Sequence, residues 1–281
     1  MRLLLVTLPL LLLSCNRNIP SPTTRPSVTH PTIASLVPAA TDLLVGMGAA
    51  DHLVAISNYD TPRPETSSLP RVGDYQSLDW ERLTTLRPDI LITFQAPDRL
   101  PAGLKQRADS LHIQLVNIRT ETLSDLYAEI THLGQVAGEP AKADAALHSL
   151  QSQFDAIHNR VASLPPARTL LLRDETATGA VGIHNFLNDI LEIAGGTNAI
   201  STPGWPDIDR EQLLSLHPDQ IILLLSDAPP QVESQARATL QSLPGHPPFT
   251  IINQWYAQQP GFHLPDLAKQ FAGALHPTPS K

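Results

Sequence analysis

The chain has 281 residues, 42% of them hydrophobic and 16% charged, with a net charge of −8. That length accommodates two domains of ordinary size with buried cores, and that balance excludes a chain disordered throughout. The acidic excess, with both signs interspersed, offers no basic stripe to neutralise phosphates, which excludes a nucleic-acid partner and direct attraction to an anionic membrane surface.

The N-terminus carries the first strong signal. Arg2 precedes an apolar run from Leu3 to Leu13, interrupted by Thr7 and Pro9 and followed by Ser14-Cys15. The run is too short to span a bilayer and has the form of a signal-peptide core. Leu12-Leu13-Ser14-Cys15 resembles a bacterial lipobox, which implies cleavage before Cys15 and attachment of a lipid to its thiol. Cys15 is the only cysteine, so a mature chain would hold no cysteine nucleophile, internal disulfide or thiolate metal site. Residues 1–15 thus read as a lipoprotein signal peptide. Residues 16–31, rich in Pro, Ser and Thr, read as a flexible tether between anchor and folded head.

From residue 32 the pattern alternates. Strands are expected at 32–37, 53–57, 90–94 and 113–118, and helices at 41–48, 79–86, 102–111 and 122–137, giving an N-terminal α/β lobe over 32–138. Residues 139–163 follow with Ala143, Leu147, Leu150, Phe154, Ile157 and Val161 at helical spacing, and neither Gly nor Pro within that stripe, which predicts one long, rigid connecting helix. A C-terminal α/β lobe then occupies 164–281. Its strands are expected at 168–173, 220–225 and 249–253, and its helices at 185–194, 209–216, 230–242 and 264–275.

The two lobes share a repeated unit. Leu78-Asp-Trp-Glu-Arg-Leu-Thr-Thr-Leu-Arg-Pro-Asp-Ile-Leu-Ile92 aligns without a gap on Ile208-Asp-Arg-Glu-Gln-Leu-Leu-Ser-Leu-His-Pro-Asp-Gln-Ile-Ile222. In each, an Asp caps a short helix, Pro-Asp ends it, and a β-branched run forms a buried parallel strand. The expected fold is therefore α/β, with two doubly wound parallel-sheet lobes joined by one long rigid helix and a ligand cleft between the lobes at the carboxyl ends of the strands.

Several motifs stand in one order: Ile33-Ala-Ser-Leu-Val-Pro-Ala-Ala-Thr-Asp-Leu-Leu-Val-Gly-Met-Gly48, Val72-Gly-Asp-Tyr75, the Glu81 unit with Arg87-Pro-Asp89, Ala194-Gly-Gly-Thr-Asn198 and the Glu211 unit. Together they resemble the helical-backbone (class III) periplasmic solute-binding proteins of ABC importers, the group that serves cobalamin, haem and iron-siderophore uptake. The resemblance covers about residues 32–276. It implies a monomeric, exported protein, lipid-anchored on the periplasmic side of the cell envelope, that hands a small molecule to a permease dimer with its ATPase. It also implies that Glu81 and Glu211, one on the rim of each lobe, dock with that permease. Independently, a carboxylate in the first turn of a helix is favoured by the macrodipole, by ~0.3–1 kcal/mol.

Within that family Thr202-Pro-Gly-Trp-Pro-Asp-Ile-Asp-Arg-Glu211 is most similar to the cobalamin binders, which implies a corrinoid ligand with Trp205 packed on it. Ferric siderophore and haem are the alternatives. Tyr59, Tyr75 and Trp255 stand at loops where flat faces could grip a macrocycle, and His184 and His263 at loops where an imidazole could reach a haem iron or cobalt. Two positions depart from the family pattern. Thr61 precedes Pro62 where Tyr-Pro is usual, and Phe262-His263 stand where Pro-Arg is common, which disfavours anionic ligands that want a guanidinium.

Other chemistries find little support. The eleven histidines are scattered without the local His/Asp/Glu spacing of a zinc site, so no protein-held metal or resident cofactor is expected. No nucleophile elbow, phosphate loop, His-Glu-x-x-His or dinucleotide fingerprint occurs. Asp174-Glu175 has the look of a solvated loop rather than an acid-base pair. The chain is not expected to be an enzyme.

Overall fold

The structure, a computed structural model, describes residues 30–74, 77–94 and 102–277. The expected signal peptide with Cys15, nearly all of the expected tether, and Tyr75 lie outside them. Among the described residues no helix is long and apolar enough to cross a membrane.

Two four-stranded parallel sheets form the frame. The first contains β1 (Ile33–Ser35), β2 (Leu53–Ala55), β3 (Ile90–Thr93) and β4 (Gln114–Asn117), in the order β2-β1-β3-β4. The second contains β5 (Ala167–Leu172), β6 (Gly196–Asn198), β7 (Gln220–Leu225) and β8 (Phe249–Asn253), in the order β6-β5-β7-β8. The two orders are the same when each lobe is counted from its own first strand. Between the lobes runs α5 (Pro140–Val161), whose buried stripe is Ala143, Leu150, Phe154, Ile157 and Val161.

The repeated unit is reproduced in backbone detail. Helix α2 (Trp80–Leu86) is capped by Asp79, which accepts from the Arg82 amide, and α7 (Arg210–Ser215) by Asp209, which accepts from the Gln212 amide. Arg87 and His217, each just before the proline, have φ of 47° and 45°. The aspartate after the proline then pins the neighbouring strand. Asp89 Oδ2 accepts from the Thr32 amide at 2.7 Å, and Asp219 Oδ2 from the Arg168 amide at 2.9 Å. The conserved-looking spacing within this chain thus has a structural reason: each Pro-Asp closes a helix and sets the register of the central strand pair.

Strand residues alternate between two cores. In the first lobe Ala34, Leu36 and Leu91 pack with Leu83 of α2 and with Leu104 and Ala108 of α3 (Ala102–Ser110). In the second, Leu170, Leu172, Ile221 and Leu223 pack with Leu213 of α7 and Ala236 and Leu240 of α8 (Pro230–Gln241). The opposite faces of both sheets meet one continuous core. It joins Ile33, Ile92, Leu171 and Ile222 to α1 (Pro38–Gly46), α4 (Leu123–Ala137), α5, α6 (Phe186–Ile193) and α9 (Leu264–Leu275). Strands β3 and β7, covered on both faces, are almost wholly buried, as parallel strands between two helical layers require.

Among the elements that differ from the sequence expectation are α1 and β6. Helix α1 begins at Pro38, three residues before the predicted start, because proline's fixed φ suits the first helical position. Strand β6 was not expected, being only three residues long and beginning with glycine. It pairs with β5 at Ala167↔Gly196, and a Cβ at Gly196 would come within 2.3 Å of Leu191 on α6, so only glycine lets the helix lie this close.

A similar approach joins α4 to α5, where a Cβ at Gly134 would lie 2.2 Å from Cβ of Ala143. Gly134→Val should wedge the two helices apart and lower stability by roughly 1–3 kcal/mol, read as an earlier midpoint in urea unfolding.

Candidate functional site

Parallel α/β units place their loops at the carboxyl edge of the sheet. At that edge of both lobes lies a cleft of about 360 Å³. The first lobe contributes Leu36, Pro38, Tyr59, Phe94 and Glu121, and the second Phe186, Trp205 and the stretch Gln258, Gln259 and Pro260. Four large hydrophobic side chains are exposed among the described residues: Tyr59 (62%), Phe94 (42%), Leu164 (42%) and Trp205 (39%). Three of these four line this cleft.

Tyr59 and Trp205 stand on hydrogen-bonded supports. Tyr59 sits on a turn in which Asp60 Oδ2 accepts from the Ser57 amide at 2.7 Å, while Arg71 donates to the Ser57 and Asp60 carbonyls. Burial pushes the Asp60 carboxyl up from its usual range, only partly offset by that Ser57 bond, by Thr41 and by Arg63 and Arg71. Trp205 rides on a small ladder. Ile183 donates to the Thr202 carbonyl, Gly204 to Ile183, and Gly182 to Gly204, with N···O of 3.1, 2.8 and 2.8 Å. Phe186 meets Trp205 edge to face, with ring centroids 6.2 Å apart. The Gln258 side chain donates to the carbonyls of Arg173 and Leu224, fixing the third wall. Asp174 is committed to structure as well: although burial raises its carboxyl, bonds from Thr176, Thr178 and Gly179 outweigh that and hold it below its usual range.

The floor of the cleft ties the lobes together. The Phe186 amide donates to the Glu121 carbonyl at 2.7 Å, and the Leu123 amide, at the start of α4, to Asp189 Oδ2 at 2.7 Å. An acid of one lobe thus takes the first amide of a helix of the other, whose own cap is Thr122.

Trp255 and His263 stand apart from this cleft. They border a second pocket, of about 350 Å³, with Asp42, Arg63 and Phe262. Their rings meet edge to face at 4.6 Å, and the Arg63 guanidinium lies 5.3 Å from the Trp255 ring. Asp42, 2% exposed, is the hub: it accepts from Arg63 at 2.9 Å and from the Phe262 amide at 3.2 Å, and lies 3.3 Å from His263 Nε2. The pocket is thus the junction between α1 of the first lobe and the segment after β8. His184 is exposed, with φ of 54°, directly before the α6 cap Asn185, and does not line the cleft. Phe94, Phe186 and Asp42 were not singled out in the sequence. Phe94 alone carried a usable signal, as the aromatic that ends β3 at the carboxyl edge.

Glu81 and Glu211 are exposed in the first turns of α2 and α7. Each helix runs back from the carboxyl edge to the start of the next strand, so its first turn lies on the cleft side of its lobe.

Two like lobes with an aromatic-lined cleft between their carboxyl edges define a protein that holds a small molecule between domains. The chain belongs to the periplasmic binding protein family, whose model matches residues 33–246, and is thereby an exported binding protein rather than an enzyme. It is 28% identical over 193 residues to the vitamin B12-binding protein of Vibrio cholerae serotype O1, covering 67% of this chain and 68% of that one. The fold is shared with the periplasmic vitamin B12 binding protein of Vibrio cholerae (TM-score 0.69, 22% identity, 88% and 96% of the two chains). It is shared also with a periplasmic heme binding protein of Pseudomonas aeruginosa (TM-score 0.72, 22% identity, 89% and 94%).

The Asp42 junction yields a pH test. Burial raises the Asp42 carboxyl, but the hydrogen bonds and positive charges of His263 and Arg63 outweigh it and hold it below its ordinary value of 3.8. Its contribution is therefore complete above that value and lost as pH falls through the lower, folded one. Asp42→Asn should cost roughly 1–3 kcal/mol at neutral pH. It should also flatten the acid limb of the thermal midpoint plotted against pH.

Proposed function

We propose that this protein is a lipid-anchored solute-binding protein that captures a corrinoid, cobalamin above all, in the cleft and delivers it to an ABC-type permease. One observation carries the reading. Tyr59, Phe94 and Trp205 are left open to water in one place, and converging exposed apolar faces mark a binding site rather than a stable surface. A flat macrocycle can lie against all three, with few polar anchors needed. The relatives named as vitamin B12-binding proteins, from Vibrio cholerae and, at 25% identity over 250 residues, Pectobacterium atrosepticum, favour cobalamin as cargo.

In this reading Glu81 and Glu211 are the docking acids, one per lobe at the same register, and Cys15 bears the lipid. Tyr75, outside the described residues, is read from the sequence alone as a further face. Trp255 and His263 act by fixing the relative positions of the lobes, and His184 is a rim residue. A ferric siderophore or haem is the second reading, supported by the exposed Tyr59 at the cleft wall, since a phenolate can ligate ferric iron.

Two measurements test the proposal. Calorimetric titration with cyanocobalamin, haemin and a ferric hydroxamate should give one-to-one binding of cobalamin, weakened about tenfold or more by Trp205→Ala. Tight binding of another of the three would keep the role and replace the cargo. Charge reversal of Glu81 and Glu211 together should abolish uptake in cells and leave cargo affinity unchanged; a fall in affinity would overturn the docking assignment.

A further inference from the structure

At the amino edge of the first sheet, away from the cleft, three parts of the chain meet. His30 lies just before β1, Asp51 and His52 in the single 3-10 turn (Ala50–His52) before β2, and Glu139 at the cap of α5. His30, Asp51 and His52 each bring one ligating atom within 4.8 Å of the others. His30 Nε2 is 3.6 Å from Asp51 Oδ2, and His52 Nε2 is 3.9 Å from Asp51 Oδ1 and 3.5 Å from Glu139 Oε1. The two imidazole rings lie 4.0 Å apart, inclined at 39°.

The tautomer of His52 is set by its other nitrogen. Nδ1 lies 3.2 Å from the Pro31 carbonyl, which can only accept, so Nδ1 carries a proton and Nε2, facing Asp51 and Glu139, is the nitrogen left for a metal. A backbone carbonyl that fixes the ring in this way is the usual outer support of a metal-bound imidazole. His52 is fully buried, and its Nε2 has no hydrogen-bond partner; His30 Nδ1, also buried, has none. Glu139 borders the cluster, its Oε1 2.9 Å from Lys142 Nζ and 3.5 Å from His52 Nε2.

From this arrangement we infer a divalent metal site of the zinc class at His30, Asp51 and His52, with Glu139 at its border and the fourth position open to water. Two imidazoles with a carboxylate suit zinc better than calcium or magnesium, which prefer oxygen alone. Zinc bonds of about 2.0–2.1 Å in a tetrahedron put ligand atoms roughly 3.4 Å apart. The Asp51 oxygens stand 3.6 Å from His30 Nε2 and 3.9 Å from His52 Nε2, and all three ligands keep an atom within 4.8 Å of the others, so the side chains must draw inward to close on the ion. Asp51, whose side chain is 66% exposed, leaves the ion a path from solvent. The bound ion fastens the segment entering the lobe to the turn before β2, and so acts on stability and not on cargo.

The test uses purified protein stripped with a chelator and titrated with zinc alone. One ion should bind per chain, raise the thermal unfolding midpoint, and shift the imidazole proton signals of His30 and His52. His30→Gln and Asp51→Asn, at positions open enough to tolerate change, should each weaken zinc binding by about tenfold or more and leave cyanocobalamin titrations unaltered. His52→Gln is the third variant where it folds. Absence of zinc binding overturns the site, as does binding that survives both His30→Gln and Asp51→Asn undiminished.

Discussion

The inner faces of both sheets rest on one shared layer of helices, and the geometry of the cleft follows from that sharing. Helices α1, α4, α5, α6 and α9 bury residues of both lobes in a continuous core, so the lobes are not two bodies on a string. Swinging them apart would expose side chains such as Phe154, Ile157 and Leu187, at about 25 cal/mol for each Å² returned to water. It would also break the bonds from Leu123 to Asp189 and from Phe186 to Glu121. The aromatic walls are therefore held near their present spacing before any cargo arrives, which lessens the ordering that binding would otherwise demand.

The repeated unit does a second job inside this frame. Its leading aspartate caps a helix at the carboxyl edge, while its trailing aspartate, through Thr32 or Arg168, fixes the strand at the amino edge. One fifteen-residue pattern thereby spans the depth of the sheet. That span is why the acids at 81 and 211 stand at the same height in their lobes.

Most of this frame could be read from the residues. The long apolar stripe of α5, the β-branched runs of β3 and β7 and the capping aspartates are local patterns, and local patterns survive into the fold. What escaped the reading depends on contacts between distant parts of the chain. Strand β6 exists because β5 offers it an edge and Gly196 lets α6 lie close, neither of which shows as periodicity. Asp42 reads as one polar residue in a helix, and only the approach of residues 262–263 turns it into a hub. Trp255 and Trp205 look equivalent in sequence, both being tryptophans in loops of the second lobe. The turn after β8 carries the first to the junction, and the ladder after β6 holds the second over the cleft. His30 and His52, 22 positions apart, show no ligand spacing in the sequence.

The matching strand orders of the two lobes bear on the proposed docking to a two-fold partner. A receptor with two identical faces could accept the molecule in either of two orientations half a turn apart, with either acid on either face, so no encounter is lost to choosing the wrong one. The lobes are not perfect copies, however. The Arg107 guanidinium lies 5.0 Å from the Trp80 ring beside Glu81, whereas Arg210 occupies the position of Trp80 beside Glu211. A receptor made of two different subunits would have that difference to read, and the same pair of surfaces would then specify handedness as well as attachment.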